Sequence, residues 1–137
     1  MNFFVAVILI ILSWQDIRKK KINLGICIIS ISFIILGNLL YHLESLFFMI
    51  SGLLVGGFVM IVSYITKEAI GIGDGVAFVI TGLAAGGIMN FEILIISLFL
   101  ASFSGMYQLI FKKCNRKKTM AFLPFITISY ILRSFII

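Results

Sequence analysis

The sequence predicts an all-α, polytopic membrane protein of about six transmembrane helices with both termini outside. Three observations carry that prediction. The 137 residues are 62% hydrophobic and 12% charged, with a mean hydropathy of +1.24, whereas about a quarter of the residues of ordinary soluble domains are charged. The apolar stretches are continuous rather than alternating, which excludes a transmembrane barrel. The basic residues gather in the breaks between those stretches instead of spreading over a face, so the net charge of +6 reads as loop charge beside a membrane and not as a nucleic-acid surface.

Each element follows from length and punctuation. A spanning helix needs about 20 apolar residues, with a range of about 17–25. Helix 1 is expected over roughly residues 2–15, followed by Arg18, Lys19, Lys20 and Lys21. It is short, and an extension past Asp16 would lengthen it. A signal peptide is a poor fit, because no basic segment precedes the apolar run and no small-residue cleavage site follows it. Helix 2 is expected over roughly 22–41 and helix 3 over roughly 45–66, separated by Tyr41, His42 and Glu44. Helix 4 is expected over roughly 75–90, or from within the glycine segment before it. Helix 5 follows over roughly 91–111, the break falling at Asn90 and Glu92. Helix 6 covers roughly 119–136, with Pro124 in its first turn, where the missing N–H costs little. The chain reads as one transmembrane domain, residues 1–137, with no soluble domain, linker or repeat.

Charge gives the orientation. Lysines and arginines follow helices 1, 3 and 5, and the opposite breaks carry none. The positive-inside rule then makes the basic loops cytoplasmic. Asp16 falls at the cytoplasmic end of helix 1 and Asp74 at the cytoplasmic start of helix 4, on one side and at similar depth.

The chain has five acids: Asp16, Glu44, Glu68, Asp74 and Glu92. Glu44 and Glu92 fall on the outer side, and Glu68 beside Lys67 reads as a solvated ion-pair member. Asp74 ends Gly71-Ile72-Gly73-Asp74, where it could serve as an N-cap, and Asp16 could pair with nearby Arg18, Lys19 or Lys20. As a pair the aspartates have a further use, since charge at membrane depth is expensive and marks function. Peptide hydrolysis needs an activated water and a proton donor. Two neighbouring carboxylates share one proton, so the ionised one takes a proton from water while the neutral one donates to the carbonyl. Gly71, Gly73 and Gly75 would let a substrate backbone approach closely. This chemistry needs no metal or cofactor, and none is expected. His42, the single histidine, lies on the outer side, away from Cys114, which argues against a cysteine peptidase. Cys27 and Cys114 form no C-x-x-C pair and read as apolar fillers.

The ordered set of motifs resembles the type IV prepilin peptidases, intramembrane aspartyl proteases of the GxGD type. Asp16-Ile-Arg-Lys-Lys-Lys-Ile-Asn23 is similar to their first motif, Gly71 to Asp74 to their second, and Phe122-Leu-Pro-Phe125 to the Pro-Phe segment that opens the last helix. The resemblance spans nearly the whole chain. It implies an aspartic endopeptidase with Asp16 and Asp74 catalytic, acting at the cytoplasmic face of the cell membrane on a prepilin-like precursor with a basic leader. Two departures stand out. The first motif lacks the usual Pro before Asn23, and the cytoplasmic domain and paired cysteines of the methylating members are missing, so a peptidase-only form is implied. Lys19, Lys20, Lys21, Lys112 and Lys113 surround the expected mouth, where they would meet substrate acids or lipid phosphates. A function of another class, a small membrane transport or assembly subunit using the acids to bind an ion or substrate, is the alternative.

The remaining features concern packing and anchorage. Gly52 and Gly56 on helix 3, and Gly82 and Gly86 on helix 4, have the four-residue spacing that allows close helix contact in lipid. Trp14, Tyr41, Tyr64 and Tyr107 near helix ends read as interfacial anchors.

Overall fold

The computed structural model describes residues 2–19, 23–41, 46–65, 71–111 and 121–135. They form five helices in chain order: α1 (Asn2–Lys19), α2 (Leu24–Tyr41), α3 (Leu46–Ile65), α4 (Ile72–Phe111) and α5 (Leu123–Phe135). No strand occurs among the described residues, as expected of apolar runs whose backbone must satisfy itself. Helix α4 is central and contacts each of the other four, while α5 also packs on α1.

Every helix turns one stripe inward at helical spacing. On α1 it is Val5, Leu9 and Leu12; on α2, Cys27, Ser30, Ile34 and Asn38; on α5, Leu123, Ile126, Thr127 and Tyr130. The outward faces are apolar too: Phe33, Phe47, Phe58, Leu54 and Phe99 are all more than half exposed, while Ser63, Thr81, Asn90, Ser97 and Ser129 are buried. A soluble protein would reverse this arrangement, and it is the one that lipid favours. Hydroxyls inside the bundle donate to carbonyls of their own helix, as Ser30 does to Ile26 (2.6 Å), Thr127 to Leu123 (2.9 Å) and Ser129 to Phe125 (2.7 Å), so few polar groups face hydrocarbon. Two helical segments are long and apolar enough to cross a membrane, Leu46–Ile65 and Gly73–Gln108, and Gly25–Leu40 and Leu123–Phe135 are shorter apolar helices.

The break expected near Asn90 is displaced. The helix is interrupted at Gly86, which has φ 76° and ψ 176°, a left-handed backbone that glycine adopts without a Cβ penalty. The chain bends sharply there. Thr81 and Asn90 are hydrogen-bonded at 2.7 Å, and Asn90 donates to the Phe78 carbonyl at 2.9 Å. A straight helix would hold such residues about 13 and 18 Å apart along its axis. Asn90 is therefore a buried core residue on the second arm of α4, not a residue of an outer break. The ring of Phe48 fills the space beside Gly86, and the Gly87 N–H donates to the Ser51 hydroxyl at 3.1 Å.

The glycine pairs separate into two roles. Gly52 and Gly82 touch backbone to backbone across α3 and α4, where a Cβ on either would overlap the other's carbonyl, and Gly56 meets Val79 in the same seam. Gly86 is the bend. Cys27 is a buried, free thiol, as its role of small filler requires, and Cys114 lies outside the described residues.

Candidate functional site

Asp16 extends the inward stripe of α1. It follows Leu9 by seven residues and Leu12 by four, so its side chain emerges on the face that packs into the bundle. Helix α1 runs past the expected end at residue 15 to Lys19, which makes Asp16 a helical residue held in register by the core below it. Asp16 is half-buried. The rim beside it is braced by Gln15, whose Oε1 accepts from the Asn23 N–H at 3.4 Å. Asn23 in turn caps α2: its Oδ1 accepts from the Gly25 N–H at 3.0 Å, and its carbonyl accepts from Ile26 at 3.1 Å. An Asn at this position suits an N-cap, so α2 starts cleanly without the proline that the motif usually carries before it.

Asp74 is buried, with 5% of its surface exposed. It begins the inward stripe of α4's first arm, Asp74, Ala77, Phe78 and Thr81, all buried. It is not the N-cap. The helix starts at Ile72, Asp74 is its third residue, and the Asp74 N–H donates to the Gly71 carbonyl at 2.9 Å. The carboxylate turns back and accepts a hydrogen bond from the Gly71 backbone N–H, the half of a capping box that a third-position acid supplies. A carboxylate also suits the positive end of the helix dipole.

The two aspartates, 58 positions apart in the chain, lie on α1 and α4, which pack against each other. Opposing like charges at a buried position favour one shared proton over two ionised groups. No group of three or more His, Cys, Asp or Glu suited to a metal occurs among the described residues.

The three glycines differ in what they do. Gly71 is exposed and lies against the Asp74 carboxylate. Gly73 is half-buried in the first turn. Gly75 is a packing glycine, since a Cβ there would run into the Met60 side chain of α3. It lets α3 close over the first turn of α4. At the opposite wall, Phe122 caps the start of α5, its carbonyl accepting from the Phe125 N–H at 3.0 Å, and its ring lies 6.5 Å from that of Phe78. Pro124 falls in the first turn of α5, as expected.

Of the basic residues proposed at the mouth, Lys20, Lys21, Lys112 and Lys113 lie outside the described residues, as do the loops holding His42, Glu44, Lys67 and Glu68, and Lys19 closes α1 with its backbone. Arg18 is described, and its guanidinium sits 4.8 Å from the centre of the exposed Trp14 ring. At the other end of the bundle Arg133 of α5 pairs with Glu92 of α4.

The buried polar cluster around Asn90 was missed in the sequence. Asn90 is fully buried, accepts from Thr81, and donates to both the Phe78 and Gly52 carbonyls. Its signal, one Asn inside an apolar stretch, is shared by loops and polar cores alike.

No curated protein and no solved structure matches the chain. Residues 3–110 match the model of the type IV leader peptidase family, a stretch that contains both aspartates and most of the bundle, and the chain belongs to that family.

Proposed function

We propose that this chain is an aspartic endopeptidase that removes the basic leader of prepilin-like precursors at the cytoplasmic membrane face, with Asp16 and Asp74 as the catalytic pair. Its membership of a peptidase family supplies the reaction class. The observation that carries the residue assignment is the burial of Asp74 on the inward stripe of α4, which packs against α1, where Asp16 continues the inward stripe.

In this mechanism one carboxyl is ionised and its neighbour protonated. The ionised group takes a proton from a water molecule as the water oxygen adds to the scissile carbonyl carbon. The protonated group donates to the carbonyl oxygen. Collapse of the tetrahedral gem-diol breaks the C–N bond: the leaving nitrogen takes the proton that the first carboxyl had taken from water, and a hydroxyl of the intermediate returns its proton to the second carboxylate, so the pair is again singly protonated. Gly71, exposed beside the Asp74 carboxylate, leaves room for a substrate backbone, which a side chain there would narrow.

The topology belongs to the same proposal. Six crossings with both termini outside bring the basic segments 18–21 and 112–118 to the cytoplasmic face, where they meet anionic lipid or acidic substrate residues. The bend at Gly86 divides the longest apolar helix into two arms, and in this proposal each arm is counted as one crossing.

The test is co-expression of a prepilin-like substrate with wild-type chain, Asp16→Asn or Asp74→Asn in membranes. Each substitution is expected to slow leader removal by roughly 10²–10⁴-fold while the protein still accumulates. Leader removal at the wild-type rate by either variant would contradict the assignment.

A further inference from the structure

Asn90 stands apart from the motifs and from the catalytic pair, yet it makes the densest set of hydrogen bonds in the bundle interior. Both hydrogens of its Nδ2 are used, on the Phe78 carbonyl at 2.9 Å and the Gly52 carbonyl at 3.2 Å. Its Oδ1 accepts from the Thr81 hydroxyl at 2.7 Å. One side chain thus ties together three stretches of chain: the second arm of α4, which carries it; the first arm, at two points; and α3.

The first arm needs such a tie. It begins with Asp74 and ends at the Gly86 bend, about 18 Å of helix for twelve residues. A swing of about 10° at the bend would displace Asp74 by about 3 Å over that length. Much of the arm's contact with α3 is a smooth backbone surface, Gly52 against Gly82 and Gly56 against Val79. Such a seam permits close approach, and its side-chain contacts, Val79 on Gly56 and Met60 on Gly75, rest on glycines that have no side chain of their own to interlock with them. Asn90 grips the arm at Phe78 and Thr81, on successive turns, and so holds its rotation. Its third bond, to Gly52, ties the arm to α3. Phe78 lies one turn from Asp74, on the same inward stripe, and its ring faces Phe122.

We propose that Asn90 is a positioning residue, whose bonds to Thr81, Phe78 and Gly52 set the rotation and depth of the arm that presents Asp74 to Asp16. The proposal rests on the catalytic pair described above, and it concerns placement and not chemistry: Asn90 touches no reacting atom.

Two measurements on the full-length chain in lipid test it. The first is kinetics of leader removal by Asn90→Leu, Thr81→Val and Thr81→Ser. Displacing a catalytic group by about 1 Å costs up to a hundredfold in rate, so Asn90→Leu and Thr81→Val are expected to lower kcat by about tenfold or more with KM little changed. Thr81→Ser, which keeps the hydroxyl, is expected to retain near wild-type kcat. The second does not depend on activity. In a background of Cys27→Ser and Cys114→Ser, the pair Asp16→Cys and Asp74→Cys is joined with a short bis-methanethiosulfonate crosslinker. Yield is expected to fall when Asn90→Leu or Thr81→Val is added and to persist with Thr81→Ser.

Unchanged crosslinking in Asn90→Leu and Thr81→Val overturns the positioning role, whatever the activity shows. Loss of crosslinking from a chain that cleaves no leader upholds the positioning role while removing the proposed substrate. Absence of crosslinking before Asn90 or Thr81 is altered overturns both proposals, because the two positions then do not meet.

Discussion

At the scale of single residues, a carboxylate at the start of a membrane helix has competing uses. Asp74 shows how one side chain serves two of them: it accepts from the Gly71 N–H, and it stays buried on the inward stripe of α4. A pair that shares a proton has a definite pH signature. Below its first macroscopic titration step both groups are protonated and no base remains; above its second both are ionised and no donor remains. The rate of leader removal is therefore expected to follow a bell-shaped pH profile whose limbs belong to the pair jointly. A profile that stays flat across both limbs, measured with a single substrate in lipid, would contradict a shared proton. Asn23 carries a separate prediction. Its cap on α2 is local and exposed, so Asn23→Ala is expected to destabilise the chain by about 1 kcal/mol, read as a small shift in its unfolding midpoint. The two aspartates stand out in the sequence because lone acids are conspicuous among apolar residues, and the burial of Asp74 among the core residues of α4 was not legible there. The cap was not legible either, because an Asn in a polar break suits a turn as well as an N-cap.

At the scale of elements, the seam between α3 and α4 depends on absent side chains. Gly52 and Gly82 approach so closely that a methyl group on either overlaps the other's backbone. Gly82→Ala is expected to force the helices apart, costing on the order of 1–3 kcal/mol, and to lower leader removal because the displaced arm carries Asp74. Titration with a denaturing detergent would measure the first effect, and unchanged resistance would count against the seam. The four-residue spacing identified Gly52, Gly56 and Gly82 as packing positions from sequence, because that periodicity puts small residues on one face of a helix. Gly86 has the same spacing and a different task. A positive φ is a property of the backbone that composition does not reveal, and polar Asn90 and Glu92 appeared to mark the break that Gly86 makes. Apolarity locates the helical stretch; it does not locate a bend inside it.

At the scale of the whole molecule, the bundle is apolar on its outer face and keeps its buried polar residues within an otherwise apolar core. Buried Thr81, Asn90, Asn38 and Thr127 bond across or within helices, while Phe and Leu side chains face outward. That apolar outer face was legible from hydropathy alone, since continuous apolar runs leave no polar face for water. Which polar residues pair inside was not, because the partners lie 45 positions apart for Asn38 and Leu83 and 118 apart for Thr127 and Leu9. The same long-range folding packs α1, which carries Asp16, against α4, which carries Asp74.

The central claim is that these two carboxyls together cut a peptide bond, and the most direct measurement uses the purified chain in lipid with a prepilin-like substrate and no other protein. Cleavage at the junction of leader and apolar segment by the wild-type chain, reduced roughly 10²–10⁴-fold in Asp16→Asn and in Asp74→Asn, with the double variant no worse than the more impaired single one, is the result the pair predicts. Equal cleavage by the wild type and either single variant, or none by the wild type, would contradict it.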